Sequence, residues 1–292
     1  MITIENSKLY SYLDIENPMV NWEVAIGRVR SSCDCNDTEG ASSFWHFSNL
    51  RRYIAGKDIN RIRDEYKLEA IRRQYYPDCV SRLTGVYFFE TQDIAHAAID
   101  RWNVSPRKNS FVTPINFSAS NITSIDSEWI TNCLGKPNTS YDWMHDYWQG
   151  KTYGEFPLTE VLASGLGHVA DVKLQTECFK RVYNKSPVFA KLAMFGIAGI
   201  LSGVWGVGQA IPIIGWRDSK LHGNFYYDLR ELRGSTKVDW DKALKKAIDS
   251  GYKFGNLPNL DIGKDIITPD YGINFEFEFK PDEEFLTLLE LI

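Results

Sequence analysis

Hydrophobic and polar positions change period several times along the chain, and each change predicts an element. In VNWEVAIGRVR, residues 20 to 30, Val20, Trp22, Val24 and Ile26 alternate with more variable positions. That period of two predicts a strand ending at Arg28 and Arg30. The polar run SSCDCNDTEGASS that follows predicts a loop. Between 59 and 73, Ile62, Tyr66, Leu68 and Ile71 fall near one face of a helix, which Pro77 ends. LTGVYFF then predicts a short strand. From Thr91 the period becomes helical again: Ile94, Ala95, Ala98, Ile99 and Trp102 make one face. Thr91 is placed to cap that helix, and Asp93 sits in its first turn, where the dipole favours it.

Residues 111–117 and 121–125 predict two short strand pieces broken by Pro114 and polar positions. Ser140 is placed to cap a helix through YDWMHDYW that stops at Gly150. FPLTEVLASG predicts a strand ending in a glycine turn, with HVADVKL as its partner across that turn. Ser186-Pro187 opens a helix. Residues 192–216 carry no charged side chain, a length that suits a membrane span. Six glycines, Gln209 and Pro212 within it favour a buried helix followed by a loop, with Gly199 and Gly203 as a small-residue pair for close packing. The tail INFEFEFKP sets Phe275, Phe277 and Phe279 on one face and Glu276 and Glu278 on the other. As an exposed strand it could add to a partner's sheet, and as an internal strand it would belong to a C-terminal accessory part. PDEEFLTLLELI predicts a last helix.

Composition narrows the class. The chain has 292 residues, 43% of them hydrophobic, which is ample for a packed core. The net charge of -5 excludes a surface that binds polyanions throughout. Residues 51–73 nevertheless hold eight basic side chains against Asp58, Asp64, Glu65 and Glu69. Such a stripe suits a local anion, a dinucleotide or a nucleic-acid strand, or else a solvated helix laced with ion pairs. The five cysteines are scattered, and Cys33-Asp34-Cys35 has no second pair to complete a zinc site. With no signal-peptide pattern, a cytoplasmic location is expected and a membrane is not.

Most catalytic signatures are missing: no phosphate loop of Walker type, no GxGxxG after a strand, no HExxH. The five histidines are far apart and read as structural. Glu160 is different. In LTEVLA, Leu158, Glu160 and Leu162 share a face, so the carboxylate is paired, at an open edge or turned to a cleft. Glu155, in a Gly-Glu turn, is the competing acid. Upstream, Tyr87 shares a face with Phe89 and offers a flat ring to a planar ligand. Arg82 offers a fork to phosphate or carboxylate, or else pairs with Asp78 or Glu90.

Taken together these pieces resemble the ADP-ribosyltransferase superfamily. They comprise a first strand ending in arginine, a second reading GVYFF that feeds an Ala-rich helix, and a later strand with a central glutamate. EAIRRQYYPDCVSRLTGVYFFETQDIAHAA and DYWQGKTYGEFPLTEVLASG are similar to a bacterial branch found in phage-defence and toxin–antitoxin operons. The resemblance covers about residues 20–175. It implies an α+β fold: a split mixed β-sheet of ADP-ribosyltransferase type with flanking helices over residues 1–175, and an accessory region over 176–292. It implies NAD as co-substrate, with Glu160 as catalytic acid and Tyr87 near the nicotinamide. Arg28 (or Arg30) would hold the dinucleotide, and Ser81 and Arg82 would contact phosphate or ribose. Leu158 stands where arginine-modifying members carry a second acid. The implied activity is transfer of ADP-ribose to a nucleic acid, RNA in preference, or to a protein. An antitoxin, with or without a chaperone, is the implied partner. The alternatives are an inactive nucleotide-binding or protein-interaction module and a membrane-associated effector.

Overall fold

A computed structural model describes residues 4–34, 38–56, 59–103, 111–137, 140–234, 238–257 and 265–292. Cys35 of the Cys-Asp-Cys run, and Lys57 and Asp58 of the charged stretch, lie outside the described residues.

The first part of the chain forms β1 (Ile4–Tyr12), α1 (Pro18–Ile26), β2 (Arg28–Arg30), a 3-10 turn (Ser32–Asp34), α2 (Phe44–Ile54), α3 (Ile59–Tyr75), β3 (Val86–Phe88) and α4 (Gln92–Arg101). Next come β4 (Val112–Asp126), α5 (Glu128–Cys133), α6 (Asp142–Trp148), β5 (Thr159–Val169), α7 (Val172–Lys185) and α8 (Pro187–Leu201). The last part holds β6 (Ala210–Arg217), β7 (Lys220–Asp228), α9 (Arg230–Gly234), α10 (Trp240–Asp249), β8 (Ile266–Ile267), β9 (Phe277–Phe279) and α11 (Glu283–Leu289). The fold is α+β with two sheets. Every strand pairing among the described residues is antiparallel, so the expected mixed sheet is not formed.

β5 is the centre of the first sheet. β4 runs along one of its edges, from Ile115 opposite Val169 to Asp126 opposite Thr159. Its other edge is shared by β3, with Phe88 opposite Val161, and β2, with Arg28 opposite His168. β1 lies beyond β4. The sheet curls so far that β1 meets the end of β3: Tyr10 and Phe89 exchange backbone hydrogen bonds of 2.8 and 2.7 Å. β1, β4, β5 and β3 thereby close into a ring. The second sheet has β7 between β6 and the short strands β8 and β9.

Three expected elements change. The strand expected over 20–30 is mostly helix α1. Asn17 caps it by accepting from the Met19 N–H, Pro18 sits in its first turn, and Gly27 ends it at φ +86°. Seven of its nine residues are buried, so burial on all sides hides the helical period. Only Arg28 to Arg30 are strand. The two strand pieces around Pro114 are one strand of 15 residues, β4, with an irregularity between Ala119 and Asn121. The hairpin expected at the Gly165 turn does not form. β5 runs straight through Gly165 and Gly167, and Asp171 then caps α7. A Cβ at Gly165 would sit 2.2 Å from the Ser118 carbonyl, so that glycine marks close approach of β4 rather than a turn.

The helices after 59, 91, 140 and 186 and the last strand and helix follow their patterns, but Ser140 is not the cap of α6: Tyr141 stands there and makes no side-chain cap bond. Thr91 and Ser186 cap as expected, and β9 puts buried Phe277 inward. β9 pairs with β7 in the chain's own second sheet, as an edge strand among the described residues. The uncharged run 192–216 becomes the end of α8, a turn and most of β6, and no helix among the described residues is long and apolar enough to cross a membrane. Gly196, not Gly199 or Gly203, makes the close helix contact, against Ile26 of α1. One hydrophobic cluster runs from Trp22, Phe47 and Phe117 to Tyr227 and Phe285.

Candidate active site

A cavity of about 610 Å³ opens at the end of the first sheet where β4 finishes and β5 begins. Glu160 of β5 and Tyr87 of β3 line it, with Arg82, Trp45 of α2, Arg61 of α3, and Arg101 and Trp102 at the end of α4. Thr131 and Lys136 complete the far side. Of the residues singled out from the sequence, Glu160, Tyr87 and Arg82 come together here. Arg28 and Ser81 do not.

Glu160 is only 7% exposed. It makes no hydrogen bond or ion pair among the described residues. Burial pushes its carboxyl up to about 7; the Arg82 charge opposes that push and the Glu65 charge adds to it. Such a group is ready to take or give a proton near neutrality and to face a developing positive charge. Glu155 is exposed in the loop before β5 and lines no part of the cavity.

Arg82 is 2% exposed, and its fork is filled. Nε and Nη2 donate to the two Glu65 carboxylate oxygens at 3.0 and 2.9 Å, and Nη1 donates to the Tyr147 hydroxyl at 2.7 Å. Its partner is thus Glu65, neither Asp78 nor Glu90. Burial raises the Glu65 carboxyl, but Arg82 and the Trp45 N–H outweigh it and hold it below the usual range. Tyr87 donates its hydroxyl to the Arg82 carbonyl at 2.9 Å, which fixes the ring at the cavity wall. Burial drives the Tyr87 phenol far up, against the Arg82 charge, so it stays protonated.

Ser81 shapes the turn. Its hydroxyl donates to Glu69 at 2.8 Å and accepts from the Leu83 N–H at 3.1 Å. Arg28, 1% exposed, is held by Glu23 through two bonds of 2.6 and 2.8 Å. It also donates to the carbonyls of Trp205 and Val207. It sits opposite His168, roughly 25 Å along β5 from Glu160 at ~3.3 Å per residue. Arg28 and Arg30 instead line a second, largely apolar cavity of about 150 Å³, whose wall includes Trp45 and Tyr87 as well. Arg30 reaches Gln209 at 2.9 Å.

The basic stripe is mostly used inside the molecule. Arg63 pairs with Glu284, and Arg72 and Arg73 pair with Glu69. Arg51 reaches the Asn274 carbonyl. Arg61 lies over the Trp45 ring at 5.2 Å and lines the cavity. Arg101 donates to Glu128 and to the Phe156 carbonyl, which ties the exposed loop before β5 to the cavity rim. Sequence reasoning passed over Trp45, Glu65 and Tyr147. Glu65 looked like one of four acids on a solvated helix. The signal that could have found it is its place between Ile62, Tyr66 and Leu68, close to the buried face.

No histidine lines the large cavity. His46 sits between Ser42 and the Tyr66 hydroxyl, and burial lowers it to about 4 against the Glu65 charge. No cluster of potential metal ligands occurs among the described residues. Compared with known proteins, the chain matches no protein-family model and no curated sequence.

Proposed function

We propose that the protein is an NAD-dependent ADP-ribosyltransferase acting as an intracellular toxin or phage-defence effector. One observation carries the reading: a buried, unpaired carboxylate, Glu160, near the start of β5 at the wall of a cavity with three aromatic rings and a cationic rim. The volume falls in the range of small-molecule and cofactor sites. Trp45, Tyr87 and Trp102 give flat faces for planar rings, and Arg61, Arg101 and Lys136 give positive charge for a pyrophosphate.

In this reading NAD supplies a ribose whose C1′ bond to nicotinamide breaks, the bonding electrons leaving with the nicotinamide nitrogen. Glu160, as the carboxylate, accepts a hydrogen bond from the ribose 2′-OH and stabilises the positive charge that develops at C1′. It can then take the proton of the attacking acceptor hydroxyl or amine. Arg82 acts through the cavity wall, since the buried Glu65 carboxylate already fills its fork, and Arg28 has no place in this cavity. The split ADP-ribosyltransferase arrangement of the sheet belongs to the same proposal, as does restraint by an antitoxin protein. The acceptor is a nucleic acid, RNA in preference, or a protein.

The filled forks of Arg28 and Arg82 favour a second reading, a module that holds a nucleotide without turnover. Labelled NAD incubated with purified protein and a lysate separates the two. Transfer predicts label in a macromolecule, removed by nuclease or by protease according to the acceptor, and free nicotinamide. Bound NAD with neither product supports the second reading; no binding and no nicotinamide would overturn both.

A further inference from the structure

We propose that Glu65 is a positioning residue for the large cavity, fixing its aromatic walls through Trp45 and Arg82. The inference rests on the proposed use of that cavity. Glu65 Oε1 accepts from Trp45 Nε1 at 3.0 Å and from Arg82 Nη2 at 2.9 Å, while Oε2 accepts from Arg82 Nε at 3.0 Å. Arg82 passes the restraint on: Nη1 holds the Tyr147 hydroxyl, and the Arg82 carbonyl holds the Tyr87 hydroxyl. The guanidinium carbon lies 5.7, 5.5 and 5.6 Å from the rings of Trp45, Tyr87 and Tyr147. One carboxylate on α3 thus sets side chains from α2, β3 and α6. Trp45 and Tyr87 are cavity walls; Glu65 itself lines no part of the cavity.

Glu65 also acts by charge. The groups that face Glu160 are Arg82, Glu65 and the hydroxyls of Tyr87 and Tyr147, with Arg61, Arg101 and Lys136 on the cavity wall. Arg82 favours the Glu160 carboxylate and Glu65 disfavours it. Neutralising Glu65 leaves Arg82 unopposed, so Glu160 titrates at lower pH. Hydration through a loosened wall would lower Glu160 as well, and Trp45→Phe, which loosens the wall but keeps the Glu65 charge, separates the two causes.

The test compares Glu65→Gln and Trp45→Phe with the unaltered chain. Glu160 is titrated by carboxyl 13C NMR, with Glu160→Gln identifying its signal, and nicotinamide release from NAD is measured across pH. The expected result for folded Glu65→Gln is a Glu160 midpoint at lower pH, a matching move of the pH–rate limb, and a KM for NAD raised about tenfold by misplaced walls. Trp45→Phe keeps a ring and loses only the indole and its N–H; the Tyr87 ring signals are expected to move and KM to rise. An unmoved Glu160 midpoint in folded Glu65→Gln overturns the proposal. Should that variant not fold, unmoved Tyr87 signals in Trp45→Phe overturn it. The titration needs no turnover. If no chain cleaves NAD with the lysate acceptor present, the transferase reading fails while the NMR midpoints still decide the role of Glu65.

Discussion

At the scale of single residues, Glu160 costs stability where it is useful. Its folded value of about 7 lies above the ordinary 4.5, so the folded protein keeps a proton that the unfolded chain has lost between those values. Stability therefore falls as pH rises through that window, by about 3 kcal/mol for a shift of this size. Glu160→Gln removes the loss. Thermal unfolding is expected to show the variant no more stable than the parent near pH 4 and about 3 kcal/mol more stable above pH 8. The same variant is expected to lose ADP-ribose transfer by roughly a hundredfold or more, read from labelled NAD. Transfer by the parent should rise through about pH 7 as the carboxylate forms. His46 works in the opposite direction. Held at about 4 instead of 6.5, it gives stability that is lost as pH falls from 6.5 towards 4. The two residues oppose each other between about 4.5 and 6.5. Stability of Glu160→Gln should therefore drop more steeply than the parent's on acidification through that window.

At the scale of elements, β5 shows both what sequence can reveal and what it hides. The alternation in LTEVLA placed Glu160 on a strand between two leucines, and the strand is there. Its continuation through Gly165 was hidden, because the glycines read as a turn when they are sites where β4 comes too close for a side chain. Gly165→Ala is expected to lower stability by about 3 kcal/mol in denaturant titration, since both the Ser118 carbonyl and φ +141° oppose a Cβ. Helix α1 was hidden for a different reason. It is buried on nearly every side, and a period is legible only where one face meets water. Caps such as Thr91 and Ser186 were legible because their chemistry is local. The cavity was legible only in part. Tyr87 and Glu160 lie on strands whose faces alternate, but the carboxylate that fills the Arg82 fork comes from α3, seventeen positions earlier in the chain. Spacing cannot announce such a partner.

At the scale of the whole molecule, Arg28 joins the two sheets' surroundings. It ties Glu23 of α1 to the turn after α8 through the carbonyls of Trp205 and Val207, and Glu23 in turn accepts from the Ala210 N–H at the start of β6. Arg28→Met strands a buried carboxylate, so a loss of about 3–5 kcal/mol is expected in chemical denaturation. NAD affinity measured on the folded protein in the cold should change little, because the fork that would hold the dinucleotide is already occupied. A large loss of affinity at unchanged stability would return Arg28 to the ligand.

The ring of β1, β4, β5 and β3 also sets an order of events during synthesis. β1 leaves the ribosome early, yet its partner β4 follows more than a hundred residues later, with Leu9 opposite Ile115. β5 is the last strand of the ring to be made, and it carries Glu160. Until that strand is inserted, the sheet is a set of edges with no centre. The acid and the wall it stands on arrive together, so a growing chain under the proposed chemistry stays inert until the segment that closes its ring has been translated.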